Sequence, residues 1–171
     1  MGPGHRALGA ASAAGALAVA EPRGVVTSAL VVLAAVVTSG GTLSPDVDQT
    51  RAWRRITGGA GACAHRHVTH WWAWPAGLLV LSARLDDVHL SALALGAAVG
   101  WGSHLLGDAL FGRGSPWRPA GVPLLPSRGH VGLGLPVGGR LEHWTTRALV
   151  AVSWVLVPLA VSGLLPAILR E

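Results

Sequence analysis

The chain reads as apolar runs separated by short polar stretches. Gly24 to Pro45 passes 22 residues without a charged side chain, and Ala148 to Leu169 passes another 22. At helical rise each is about 33 Å long, close to the hydrocarbon thickness of a bilayer. Val88 to Gly107 is a third run, interrupted only by His89 and His104. Val68 to Ala83 is a fourth, opening with Trp71, Trp72 and Trp74 as interfacial anchors do. Ala7 to Ala20 is shorter and weakly apolar. With Arg6 ahead of it and Ala18-Val19-Ala20 at its end, it reads as a span, with a half-buried or re-entrant helix and a cleavable leader as the alternatives. Gly112 to Gly139, with five prolines among many glycines, reads as an irregular loop rather than a helix or regular strand. A loop of that length is often functional. The pattern predicts an all-α, polytopic helical membrane bundle of four to five transmembrane helices. With its long Gly/Pro-rich loop it forms one domain over residues 1–171.

Composition sharpens this. Hydrophobic residues make up 51% of the 171 and charged residues 12%, about half the charge of an ordinary soluble domain. That is too little to cover a free-standing globule. The formal net charge of +5 suits anionic lipid or nucleic acid. All 13 basic residues are arginine and form no dense run, so membrane lipid is the expected partner and nucleic acid is not. Cys63 is the sole cysteine, which excludes an internal disulfide and a Cys-based zinc finger. If all five runs span, the N-terminus, Ser44 to His67 and Leu110 to Arg147 share one side and carry ten arginines. The other side carries Arg23, Arg84 and Arg170. The first side is then cytoplasmic.

The acids and histidines gather on that same side, although the arginine count does not use them. His5 opens the first run, Asp46 and Asp48 close the second, and His65, His67 and His70 open the next. His104 and Asp108 close the following one, and Glu142 and His143 precede the last. His104 and Asp108, four apart, share a helix face. Extended backbone after Pro45 would turn Asp46 and Asp48 the same way. Imidazole and carboxylate without thiolate favour zinc, manganese, iron or nickel over copper(I) or an iron–sulfur cluster. His89 and His143 read as solvated side chains, Asp86 and Asp87 as turn residues, and Cys63 as a spectator. The roles of His130 and Glu142 stay open.

These residues in this order resemble the YdjM-like family of bacterial membrane-bound, metal-dependent hydrolases, including its LexA-regulated inner-membrane type. That pattern is an N-terminal His, Pro-Asp-x-Asp, His-Arg-x-x-Thr-His and Ser-His-x-x-x-Asp. It reads here as His5, Pro45-Asp46-Val47-Asp48, His65-Arg66-His67-Val68-Thr69-His70 and Ser103-His104-Leu105-Leu106-Gly107-Asp108. Gly121 to Pro126, and Gly138 with Glu142, resemble its later motifs. Leu125 stands where the family has Trp, and Phe111 to Arg118 looks inserted. The resemblance implies a divalent metal, zinc first and manganese second, on His5, Asp46, His70, His104 and Asp108. Asp48 and His65 would act as ligand, ligand-orienting group or general base, and Arg66 would pair with a phosphate or orient a carboxylate. A more distant similarity to zinc-dependent phospholipase C and P1 nuclease implies phosphoester hydrolysis of a small-molecule or lipid substrate. The expected location is the cytoplasmic face of the bacterial inner membrane. A metal-ion or proton-coupled transporter would instead distribute polar groups through the bundle's depth, and a non-catalytic scaffold would bind no metal. Oligomeric state is open.

Overall fold

The computed structural model describes residues 3–20, 24–58, 66–111, 122–125 and 128–169. Cys63 and His65 lie outside the described residues. The helices are α1 (Pro3–Val19), α2 (Val25–Gly40), α3 (Arg51–Thr57), α4 (Ala73–Arg84), α5 (Val88–Leu110), α6 (Arg140–Val161) and α7 (Leu164–Ile168). Among the described residues, two 3-10 turns, Pro45–Gln49 and Val68–His70, flank α3 in sequence.

Among the described residues, three segments are long and apolar enough to cross a membrane: Val25–Gln49, Val88–Leu110 and Arg140–Val161. α1 has 17 residues and α4 only 12, against the about 20 a span needs. The run expected over Val68 to Ala83 is therefore broken. Pro75 is tolerated only in the first helical turn, because its ring would collide with the carbonyl four residues back. That keeps α4 from starting much before Ala73. The last run is displaced: its helix begins at Arg140 and stops at Val161, where Gly163 turns into the left-handed region at φ 79°.

The long Gly/Pro-rich segment also departs from expectation. It contains a two-stranded antiparallel hairpin, β1 (Val122–Leu125) and β2 (Arg128–Val131), with Val122 opposite Val131 and Pro123 opposite His130. A two-stranded ribbon has only edges, where a proline's missing N–H is tolerated.

Helix directions alternate. α2 and α5 run parallel, Val31 meeting Gly96 and Ala35 meeting Gly100. α1 runs the opposite way, parallel to α6, with Gly4 beside Thr146 and Ser153 donating to the Ala7 carbonyl at 3.3 Å. α4 is antiparallel to α5, Pro75 lying beside Gly102 and Ser91 donating to the Ser82 carbonyl. One end of the bundle thus collects the starts of α1, α4 and α6 and the ends of α2 and α5. The core is made of small side chains, Ala13, Ala14 and Ala35 with Leu17 and Val31, so the weakly apolar α1 belongs to the middle of the bundle. Small residues let helix backbones approach closely. A Cβ on Gly96 would lie 2.3 Å from the Val31 carbonyl oxygen, and one on Gly100 would lie 2.2 Å from that of Ala35. Gly96, Gly100, His104 and Asp108 repeat every four residues along α5, so the glycine stripe that seats α2 continues into two polar residues.

Candidate metal centre

Those two residues meet the end of α2 and the 3-10 turn after it. His104 Nδ1 lies 2.6 Å from the Ser39 carbonyl oxygen, so it carries the proton and donates, leaving the Nε2 lone pair turned into the cluster. His70 and His104 are fully buried. Asp46 Oδ1 lies 3.6 Å from His70 Nε2 and 3.8 Å from His104 Nε2. Asp108 Oδ2 lies 3.2 Å from His70 Nε2 and 3.7 Å from His104 Nε2. Four donor atoms around a tetrahedral ion with bonds of about 2.1 Å are separated by about 3.4 Å, so each of these four contacts is close to the spacing of two donors on one ion. Among the described residues, His104 Nε2 and Asp108 Oδ2 are buried without a hydrogen-bond partner. Buried polar atoms are normally satisfied, and a shared cation would satisfy both. Asp46, His70 and His104 form one group able to hold an ion, and His5, His104 and Asp108 another.

Each donor has a local cause. Pro45 opens a 3-10 turn, in which residues two apart diverge rather than align. The expectation that Asp46 and Asp48 point the same way is therefore corrected. Asp46 meets Nε2 of His70, while Asp48 Oδ2 lies 3.3 Å from Nδ1 on the opposite edge of that ring. Asp48 also accepts from the Thr69 hydroxyl and from the Arg66 backbone N–H at 3.3 Å. A carboxylate behind a ligand histidine fixes its tautomer and orientation. The turn carrying His70 is held by two indoles, Trp74 Nε1 donating to Val68 O at 2.7 Å and Trp101 Nε1 to Thr69 O at 3.0 Å. Trp74, read from sequence as a membrane anchor, thus also positions a site residue. Three carboxylates surround His70: burial alone would push its pKa down, yet Asp108, Asp46 and Asp48 raise it to about 10.

His5 arrives from α1 and stacks on His104, ring centres 4.3 Å apart, with Nε2 3.8 Å from Asp108 Oδ1. Arg66 sits in the left-handed region at φ 62°. That conformation costs on the order of 1–3 kcal/mol outside glycine and concentrates at functional sites. From there its guanidinium donates to Asp108 Oδ1 at 3.0 Å. His5, Asp46, Arg66 and Asp108 line a cavity of about 220 Å³, with Gln49 and Glu142 beside them and Leu8, Phe111, Val137 and Leu149 as its apolar part.

The five residues read as metal ligands, drawn from α1, the two 3-10 turns and α5, are thus together. Asp48 supports His70 from behind, and Arg66 reaches the cluster. His143 does not: it lies exposed on the outer face of α6 near Arg140 and Trp144. His67 turns toward His130 instead. His89 and Asp87 are exposed at the far end of α5. Sequence reasoning missed Ser39, whose contribution is a backbone carbonyl with no pattern to reveal it, and it quoted Thr69 within a motif without giving its hydroxyl a role. It also missed the glycine spacing leading to His104, which was readable.

Fold and site together define an all-helical bundle with a buried His/Asp cluster able to hold a metal ion. Comparison of the chain with protein-family models, with curated proteins and with solved structures gave no match.

Proposed function

We propose that the chain is a membrane-embedded, metal-dependent hydrolase of the YdjM-like kind, acting on a phosphoester or lipid-like substrate at the cytoplasmic face of a bacterial inner membrane. The observation that carries this reading is the set of four converging donors, Asp46, His70, His104 and Asp108, beside a cavity lined by both polar and apolar side chains. The donor set suits zinc first and manganese second. A divalent ion held there supplies Lewis acidity and lowers the pKa of water to about 7.

The chain's own groups divide the remaining work. Asp48 holds His70 in register, and the Ser39 carbonyl does the same for His104. His5 offers a further imidazole on the cavity wall. The Arg66 guanidinium, already on Asp108, is placed to pair with a phosphate oxygen in the same cavity. Leu8, Phe111, Val137 and Leu149 suit the apolar part of an amphiphile. Three apolar helices and the ten-to-three arginine asymmetry support the membrane placement. Ala13, Ala14, Leu17, Val31 and Ala35 fill the middle of the bundle, which speaks against a transport path through it.

The test is metal analysis of protein purified in mild detergent, with phospholipid and phosphodiester turnover assayed alongside. Wild-type protein is expected to carry metal and turn over substrate, and His104→Ala and Asp108→Ala to lose both. Wild-type protein that takes up neither zinc nor manganese on reconstitution removes the reading.

A further inference from the structure

Two histidines outside the cluster have a ring nitrogen without a hydrogen-bond partner among the described residues. His67 lies just before the turn that carries His70, and His130 lies on β2. Their ring centres are 6.1 Å apart with planes at 60°. Nδ1 of His67 and Nε2 of His130 are both buried and have no hydrogen-bond partner among the described residues. His130 also bonds through its ring to the Arg66 backbone. A ring nitrogen that donates to a backbone carbonyl leaves the lone pair on the opposite nitrogen, the tautomer a metal ligand uses. Burial holds the His130 pKa below its ordinary value, so this ring is neutral near pH 7.

With about 2.1 Å from metal to nitrogen and about 1.1 Å from nitrogen to ring centre, two imidazoles on one tetrahedral ion have centres about 5.2 Å apart, so the 6.1 Å pair is within about 1 Å of sharing one. Imidazole pairs select zinc, nickel or copper(II) over magnesium and calcium.

We propose that His67 and His130 form a second, outer site for a zinc-like divalent ion, which clamps the β1–β2 hairpin to the segment carrying Arg66 and His70. The site stands apart from the hydrolase reading, since it uses none of the inner donors. Its consequence is mechanical: filling it fixes the backbone from which Arg66 reaches Asp108.

The experiment uses the full chain in detergent, stripped of metal and then titrated with zinc alone. Histidine carbethoxylation is read residue by residue by mass spectrometry. Zinc is expected to protect His67 and His130 in wild-type protein and equally in His104→Ala, where the inner cluster is broken. His130→Ala and His67→Ala are each expected to bind one zinc ion fewer per chain than wild type, with His70 and His104 still protected. Equal modification with and without zinc overturns the proposal. So does a zinc count unchanged in both variants, or protection of His130 that disappears with His104. Loss of inner protection alone counts against the inner site and leaves this one standing.

Discussion

α5 carries a histidine and an aspartate at each end, and the two pairs have opposite fates. At its start His89 lies 3.9 Å from Asp87, with side chains 55% and 57% exposed. Toward its end His104 lies 3.7 Å from Asp108, with side chains 0% and 7% exposed. The separations are nearly equal, so proximity of the two groups does not distinguish a site from a surface pair. What distinguishes them is what else arrives. Asp87 commits its carboxylate to its own helix, accepting from the backbone N–H groups of Leu90 and His89, which lowers its pKa. Asp108 faces His70, Arg66 and His5 from three other parts of the chain. An exposed pair is screened and contributes little. A buried one must be compensated, and removing one partner leaves an uncompensated group.

Substitution at the two ends gives the largest contrast. Asp108→Ala should abolish bound metal, while Asp87→Ala and His89→Ala should leave the metal-to-protein ratio at the wild-type value. Elemental analysis of the purified variants checks this, and metal loss from both ends alike would erase the distinction.

Next in size is the approach of α2 to α5. Gly100→Ala puts a methyl group 2.2 Å from both the Ala35 carbonyl oxygen and the Thr38 hydroxyl oxygen. Overpacking of this kind costs about 1–3 kcal/mol. It should also pull Asp46 and Ser39 away from His104 and weaken metal binding. Gly77, in α4, has nothing within 4 Å of its would-be Cβ. Gly77→Ala should therefore stabilise by about 0.5–1 kcal/mol. Thermal unfolding with zinc titration separates the two, and equal behaviour would show that the helix contact does not seat the site.

A smaller effect is expected in the metal-free protein. The His70 pKa is raised from 6.5 to about 10. Its protonated form therefore contributes stability that is complete below about 6.5 and is lost as pH rises through about 10. Chelated protein should lose melting temperature across that interval, and His70→Gln should flatten the slope. With metal bound the neutral imidazole is the ligand, so the slope should vanish. The smallest effect belongs to the exposed end. Asp87→Ala removes the α5 cap, so it should lower the melting temperature slightly at neutral pH. Its pKa is lowered, so the difference should fade as pH falls below 3.8.

Much of this was legible in the chain. The uncharged runs marked the three long apolar helices, because absence of charge is a local property that needs no partner. The four-residue step from His104 to Asp108 announced a shared helix face for the same reason. The hairpin was hidden because proline and glycine counts do not reveal cross-strand pairing. The shortness of α4 was hidden because hydropathy does not register what Pro75 does to the turn before it. His143 was legible as a solvated side chain, and it is exposed beside Arg140 and Trp144, while the cavity role of its neighbour Glu142 was hidden because only one face of α6 lines the cavity.

By itself the sequence determined which stretches are apolar, which end of each carries imidazoles and acids, and hence that they could meet at one end of a bundle. Only the tertiary structure decided which atoms meet. His5, Asp46, His70 and His104 sit on four separate elements. The 65-residue offset that sets Ser39 against His104 comes from backbone contact at Gly96 and Gly100. Such an offset is a property of two packed surfaces, and no single stretch of chain encodes it.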